Sequence, residues 1–372
     1  MKIISPNHVP LSDEELGMKI AKITAESAPE KIRTAFSRGL APGFDPVQLF
    51  TGLYQLAVKY DELCDNIEQT LTGLPENIFT SAISGDLHPL VIDFIAYYPF
   101  GKKYHEVILS NKATADTTFA RIAKTCNEKL ANIIADNQHR LIRFPQIIEN
   151  LYLNRATPMS TAARIIELAA RNNLELSLEA YDEMKKALDL DPPEEEDPID
   201  AALRAEELDQ QFKNAEQVLL ETAEDSSDEE VEQELKKKGV ILSQLPVSAR
   251  IRLAQLGTKF HRSQLIRDAN KVVSMAVIKS PAITDAEVEE YSKNRQISEE
   301  IIRYICRRKD WLKSYRIKIN LVNNPKTPVP TALLLLNSLR ATDLKSISRS
   351  RNVAQVVRQA AANKIRNADK KR

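Results

Sequence analysis

A set of basic side chains near the C-terminal end offers the clearest chemistry in this chain. Arg307, Arg308, Lys309, Lys313, Arg316 and Lys318 come first, followed by Arg349, Arg351, Arg358, Lys364 and Arg366. Guanidinium and ammonium groups at this density can hold phosphates or carboxylates, and each phosphate contact releases a counterion. Arg307, Arg308, Lys309, Lys313, Arg316, Arg349, Arg351 and Arg358 form the candidate interaction surface. Reading bases would call for aromatic faces among these cations. Aromatics are few nearby; Trp311 and Tyr315, with Ile319 and Val322, recur at steps of four or three. That spacing marks the apolar face of one helix, so Trp311, the single tryptophan, is expected as a core anchor.

Other chemistries find no motif. His8, His88, His105, His139 and His261 include no pair three or four apart, and no cysteine stands at metal-ligand spacing to any of them. Cys64, Cys126 and Cys306 fit no redox pattern, and their odd number argues for a reducing cytoplasm. The nine glycines are scattered singly, so there is no phosphate-cradling loop. Neither a Gly-x-Ser-x-Gly elbow nor a His-Glu-x-x-His pair occurs. The runs Glu194-Glu195-Glu196 and Glu229-Glu230 lie where no fold would hold two carboxylates in differing environments, so they are expected as solvated charge. The expectation is a non-enzyme without cofactor or metal.

The elements that must position the basic set are helical. Hydrophobic residues make up 43% and charged residues 28%, with Ala, Leu, Ile, Glu, Lys and Arg dominant and glycine turns scarce. Formal net charge is zero but unevenly placed: −3 over residues 1–188, −17 over 189–234 and +20 over 235–372. Such a chain folds charge against charge or meets a charged partner. Met1–His8 lacks the apolar core of a signal peptide. The longest apolar run, Ala332–Leu336, is far short of the roughly 20 residues that span a bilayer, so no membrane insertion is expected.

Periodicity predicts helices over 90–98, 103–110, 115–126, 128–136, 143–154, 158–171 and 177–188. A second series follows over 246–256, 261–268, 270–279, 285–294, 298–307, 311–322, 328–338, 342–348 and 353–366. Ser12 and Ser298 precede acid-rich first turns and are expected as helix starts. Thr114 and Thr157 are expected as N-caps, with Pro158 at the first helical position. The stretch Asn150–Ala162 returns at Asn320–Ala332 with seven of thirteen positions identical. Among these are Asn154/Asn324, Thr157/Thr327 and Pro158/Pro328. The same 170-residue offset pairs Val107-Ile108 with Val277-Ile278 and Thr114 with Thr284. Thr114 to Thr157 and Thr284 to Thr327 are both 43 residues, room for three short helices. A tandem duplication giving stacked units follows. Residues 190–238, rich in acid and proline, are expected as a mobile linker with a docking helix near 201–220, and the last residues are expected to fray.

Arg267–Val273, Lys279-Ser280-Pro281, Lys309-Asp310-Trp311, Val322–Pro328, Asp343-Leu344-Lys345 and Ser350–Val353 together carry a resemblance. The stretch 265–361 resembles a bacterial family of helical-repeat proteins without an established activity. Its Asn-Pro-x-Thr-Pro element is similar to that of leucine-rich-repeat-variant solenoids. The resemblance implies a fold and carries over no catalytic residues. The expected architecture is all-α: an N-terminal helical segment (1–77), a first HEAT- or armadillo-like α-solenoid module (78–189), an acidic linker (190–238) and a second, basic module (239–372). The leading functional reading is a cytoplasmic scaffold or adaptor for protein partners. The alternative is a nucleic-acid-binding protein using the second module.

Overall fold

Proline divides this chain into short helices. Pro46 and Pro89 occupy first helical turns, while Pro29, Pro75, Pro158, Pro246 and Pro328 stand at N-caps, where a missing N–H costs little. The structure, a computed structural model, describes residues 5–190, 198–221, 228–238 and 240–369. Among these residues all regular structure is helical, without strands, and no helix is long and apolar enough to cross a membrane. The chain divides into two compact units, residues 1–157 and 158–372.

The first unit contains α1 (Asp13–Thr24), α2 (Glu30–Ser37), α3 (Pro46–Lys59), α4 (Cys64–Gly73), α5 (Glu76–Ser84), α6 (Pro89–Tyr97), α7 (His105–Ser110), α8 (Asp116–Ala123), α9 (Glu128–Asp136), α10 (Gln138–Arg143) and α11 (Gln146–Leu153). Its centre is α3, which buries Phe50, Leu53, Tyr54 and Leu56 and packs on α1, α5 and α6. Phe50 meets Phe79 of α5 edge to face at 4.8 Å, and Phe79 stacks on Tyr104 at 4.6 Å. A Cβ at Gly52 would lie 2.5 Å from the Phe36 ring, so glycine lets α2 close on α3.

The second unit contains α12 (Met159–Arg171), α13 (Tyr181–Leu190), α14 (Pro198–Glu221), α15 (Asp228–Lys238), α16 (Val247–Leu256), α17 (Lys259–Leu265), α18 (Lys271–Ile278), α19 (Asp285–Lys293), α20 (Glu299–Arg307), α21 (Tyr315–Asn323), α22 (Val329–Leu336), α23 (Ala341–Arg349) and α24 (Gln355–Asp369). The stretch expected as a linker contributes α14 and α15. Phe212, Ala215, Val218 and Leu219 recur at helical spacing and are buried, with α14 lying against α12 and α16. The acidic run 191–197 and residues 222–227 lie outside the described residues. So do the last three residues of the expected frayed end.

Most expected helices form within a residue or two of their predicted ends, and three differ for physical reasons. Phe144-Pro145 delays the expected 143–154 helix to α11, and a short helix not expected from the sequence, α10, precedes it. Ser177–Ala180 stay outside α13. The expected 311–322 helix breaks at Ser314, whose backbone is extended (φ −66°, ψ 125°). Trp311–Lys313 forms a separate 3-10 turn before α21. Trp311 is consequently half-buried and off the Tyr315–Val322 helix, not a core anchor.

The recurring asparagines tie helix ends together. Asn154 Nδ2 donates to the carbonyls of Ala123 (3.0 Å) and Cys126 (2.9 Å) at the end of α8. Its Oδ1 accepts the Ala156 N–H at 3.0 Å. Asn324 does the same after α19, reaching Ser292 (3.0 Å) and Asn294 (3.2 Å) and accepting the Lys326 N–H at 3.0 Å. Asn150 and Asn320 reach Ala120 and Glu289 carbonyls at 2.7 and 3.1 Å. Asn111 donates to the Ile83 carbonyl and accepts from Ala113 N–H. These ties join residues 28–32 apart in sequence.

The threonines that follow do not cap helices as expected. Thr157 and Thr327 occupy equivalent places, each two residues before its helix, with Pro158 and Pro328 at the N-cap. Thr327 and Thr114 instead donate backwards to carbonyls six residues upstream, Leu321 and Ile108, each at 2.6 Å. The Thr157 hydroxyl is buried without a hydrogen-bond partner among the described residues. Of these recurring threonines only Thr284 caps, accepting from Glu287 N–H at 3.3 Å. Ser12 begins α1 with its N–H on the Glu15 carboxylate at 2.8 Å, whereas Ser298 stands at the α20 N-cap without a side-chain cap bond.

Asn154→Ala and Asn324→Ala should each destabilise by roughly 1–3 kcal/mol in urea melts, because two buried carbonyls lose a donor. Thr327→Val should cost about 1 kcal/mol and Thr157→Val about nothing, since only Thr327 makes a bond to lose. Equal losses at the two threonines would contradict this wiring.

Candidate functional site

The structure sorts the basic residues into two groups. Arg307 ends α20, Arg308 and Lys309 follow it, Lys313 lies on the 3-10 turn, and Arg316 and Lys318 lie on α21. Arg349 ends α23, Arg351 lies in the next turn, and Arg358, Lys364 and Arg366 lie on α24.

Acidic side chains already answer much of the first group. Arg308 Nη2 meets both Glu179 oxygens, at 2.9 and 3.1 Å, and Tyr304 donates its hydroxyl to the same carboxylate at 3.3 Å. The Arg308 guanidinium also lies 5.7 Å from the Tyr304 ring centre and 5.6 Å from that of Trp311. Lys313 pairs with Asp310 at 2.7 Å and Arg316 with Glu289 at 3.4 Å. Arg307 and Lys309 are exposed and have no partner among the described residues.

In the second group, Arg349 and Arg351 are exposed and Arg358 is half-buried. Lys364 reaches back to the Leu336 carbonyl at 3.0 Å and Asn337 Oδ1 at 2.9 Å, so it satisfies the end of α22. An outward face of cations therefore centres on Arg307 and Lys309, beside a Tyr304–Arg308–Trp311 stack.

Nucleophiles are muted by their settings. Burial pushes the thiols of Cys126 and Cys306 up to about 11 each, which leaves them protonated at neutral pH. Among the described residues no group of three or more His, Cys, Asp or Glu could hold a metal ion.

A polar node in the first unit was not legible as a site in the sequence. Asp93, in the middle of the apolar α6, is buried. His8 Nε2 lies 2.9 Å from its Oδ2, and Arg121 of α8 donates to that oxygen at 2.7 Å and to the Asp93 carbonyl at 3.0 Å. Thr118 donates its hydroxyl to Oδ1 at 2.5 Å. Burial by itself would raise the Asp93 pKa. The hydrogen bonds from His8, Arg121 and Thr118, with the Arg121 charge, outweigh it and hold the carboxyl near 2, against an ordinary 3.8.

His8 Nδ1 accepts the Ser5 N–H at 3.2 Å, which assigns the proton to Nε2, facing Asp93. Both ring nitrogens are thus engaged, and the ring packs edge-on against Tyr54, Phe94 and Tyr97 at 5.6–6.0 Å. This imidazole acts as a tie, with no free nitrogen to move protons for a substrate. Beside it opens a cleft of about 320 Å³ lined by Ser5, Arg121, Lys124, Gln146 and Asn150, among others. A larger groove in the second unit, about 820 Å³, is lined by Leu242, Phe260 and Leu265 and by the Arg250–Asp268 pair at 2.6 Å. The one signal for the node was a carboxylate inside the run Val91-Ile92-Asp93-Phe94-Ile95.

Comparison of the chain with protein-family models, with curated proteins and with solved structures returns no match.

The node makes stability depend on pH with a definite sign. The folded-state Asp93 pKa is below its unfolded value, so its ionisation stabilises the fold above a pH of about 4, and this contribution is lost as pH falls toward 2. The stability difference between wild type and Asp93→Asn should shrink by about 2 kcal/mol between a pH of about 5 and a pH of about 2. Urea melts of both proteins across that window check it.

Proposed function

We propose that this chain is a non-enzymatic scaffold or adaptor that presents protein-binding surfaces on a frame of stacked helical repeats. The frame is read as two solenoid modules from an internal duplication. The observation that carries the reading is the matched wiring of Asn154 and Asn324. At the same 170-residue offset each donates to two carbonyls at or just past the end of an earlier helix, α8 or α19, and accepts the N–H two residues on. Short helices tied to near neighbours in this way suit repeat stacking, whose product is extended surface. The resemblance of 265–361 to bacterial helical-repeat proteins agrees with this. Three free cysteines suit the cytoplasm.

The binding face is assigned to the outward cations around Arg307 and Lys309, with the Tyr304–Arg308–Trp311 stack beside them. Aromatic and arginine side chains together are the composition of binding hot spots. An acidic protein partner fits this face better than nucleic acid, because Arg308, Lys313 and Arg316 already meet carboxylates.

The test uses the full chain with a photo-cross-linking residue at Lys309. A defined protein should be captured from native lysate, survive nuclease treatment and be lost when Arg307→Glu is added to the same cross-linking chain. Nucleic acid should bind no tighter than roughly 10⁻⁴–10⁻⁶ M at physiological salt. A submicromolar complex with nucleic acid that weakens steeply with salt and vanishes in the Arg307→Glu variant would replace this reading with the nucleic-acid one.

A further inference from the structure

The segment before α1 is held in the first unit as a bound peptide would be. Residues 8–12 run without helix, and burial singles out two side chains, His8 and Leu11, while Asn7, Val9 and Pro10 face outward. Val9 is 54% exposed. The main chain is gripped by side chains of α3. Gln55 accepts the Leu11 N–H at 2.8 Å and donates to the Leu11 carbonyl at 3.0 Å, so one amide matches both backbone groups of one residue. Tyr54 donates its hydroxyl to the Val9 carbonyl at 2.7 Å. His8 fills the aromatic cage of Tyr54, Phe94 and Tyr97 and meets Asp93 at 2.9 Å.

This is how peptide-recognition grooves work: main-chain bonds give affinity and pockets for alternate anchors give specificity. Gln55 is fully buried. Its amide is matched to a backbone, and the groove needs an occupant, because an empty one would leave that amide and the Asp93 carboxylate without these partners. An apolar seat would hold a permanent structural segment without such exposure to loss.

We infer that the groove between α3 and α6 is a peptide-binding site, occupied here in cis. Its partner is an extended segment of another protein carrying an imidazole and, three residues later, a branched aliphatic side chain. The chain's own His8-Val9-Pro10-Leu11 shows that chemistry in place. The site lies in the first unit and stands independently of the basic face around Arg307.

The experiment labels the full chain at Val9→Cys with an environment-sensitive fluorophore and titrates a synthetic peptide of residues 5–13. Saturable displacement of the label is expected, weakened by His8→Ala or Leu11→Ala in the peptide and abolished by Gln55→Leu in the protein. Placing His8→Ala and Leu11→Ala in the protein's own segment should tighten peptide binding by at least about tenfold, since the tethered competitor acts at high effective concentration. Circular dichroism melts establish that each variant folds. If the double variant does not fold, the labelled chain with millimolar peptide decides alone. Absence of displacement there, or equal binding of the His8→Ala peptide, overturns the inference. A concentration-dependent dimer exchanging this segment between copies also overturns it, since the occupant would then be a second copy.

Discussion

A helix leaves four carbonyls at its C-terminal end without helical partners, and a chain of helices often eight to ten residues long multiplies that demand. Where such ends are buried, each unpaired carbonyl costs about as much as a lost hydrogen bond. The fold depends on how this demand is met. Asn154 and Asn324 satisfy two carbonyls each, Gln255 satisfies Ala276, and Lys364 satisfies Leu336. Arg140 serves Thr114 and Lys112 while pairing with Asp116. Arg262 serves Gly257 while holding Glu287 through two nitrogens. Much of the chain's stock of polar side chains is employed inside the molecule.

The same economy explains the charges. The sequence sets a −17 stretch at 189–234 against a +20 stretch at 235–372. Among the described residues, acids outside 189–234 meet the basic helices, Glu179, Glu183, Glu289 and Asp310 among them. They come from the turn before α13, from α13 and α19, and from the residue before the 3-10 turn, and some are more than ninety residues from their partners. Local composition carries no record of such pairings, so only the total was legible.

Helix positions were legible because apolar spacing and proline placement are local. The break at Ser314 was not, since Trp311, Tyr315, Ile319 and Val322 keep a helical rhythm across it. The recurrence of Asn154 and Thr157 at Asn324 and Thr327 was visible. Its physical meaning was misassigned: the asparagines do the work at helix ends, and Thr327 bonds backwards where a cap would bond forwards. The His8–Asp93 node joins residues 85 apart, and a lone buried carboxylate in α6 was its sole trace. Of the basic set, the residues were identifiable, while the division into answered and unanswered cations came from tertiary contacts.

The reach of these ties also orders events in time. Most close loops of about thirty residues, which a chain can zip one after another without a long search. The His8–Asp93 tie closes a loop of 85 residues. Closure entropy grows with the logarithm of loop length, so this tie costs about 1 kcal/mol more to make than a thirty-residue one. The same segment is tied to α3 across 44–45 residues, at Leu11 and Val9. The segment before α1 is therefore expected to fasten after the thirty-residue ties have closed.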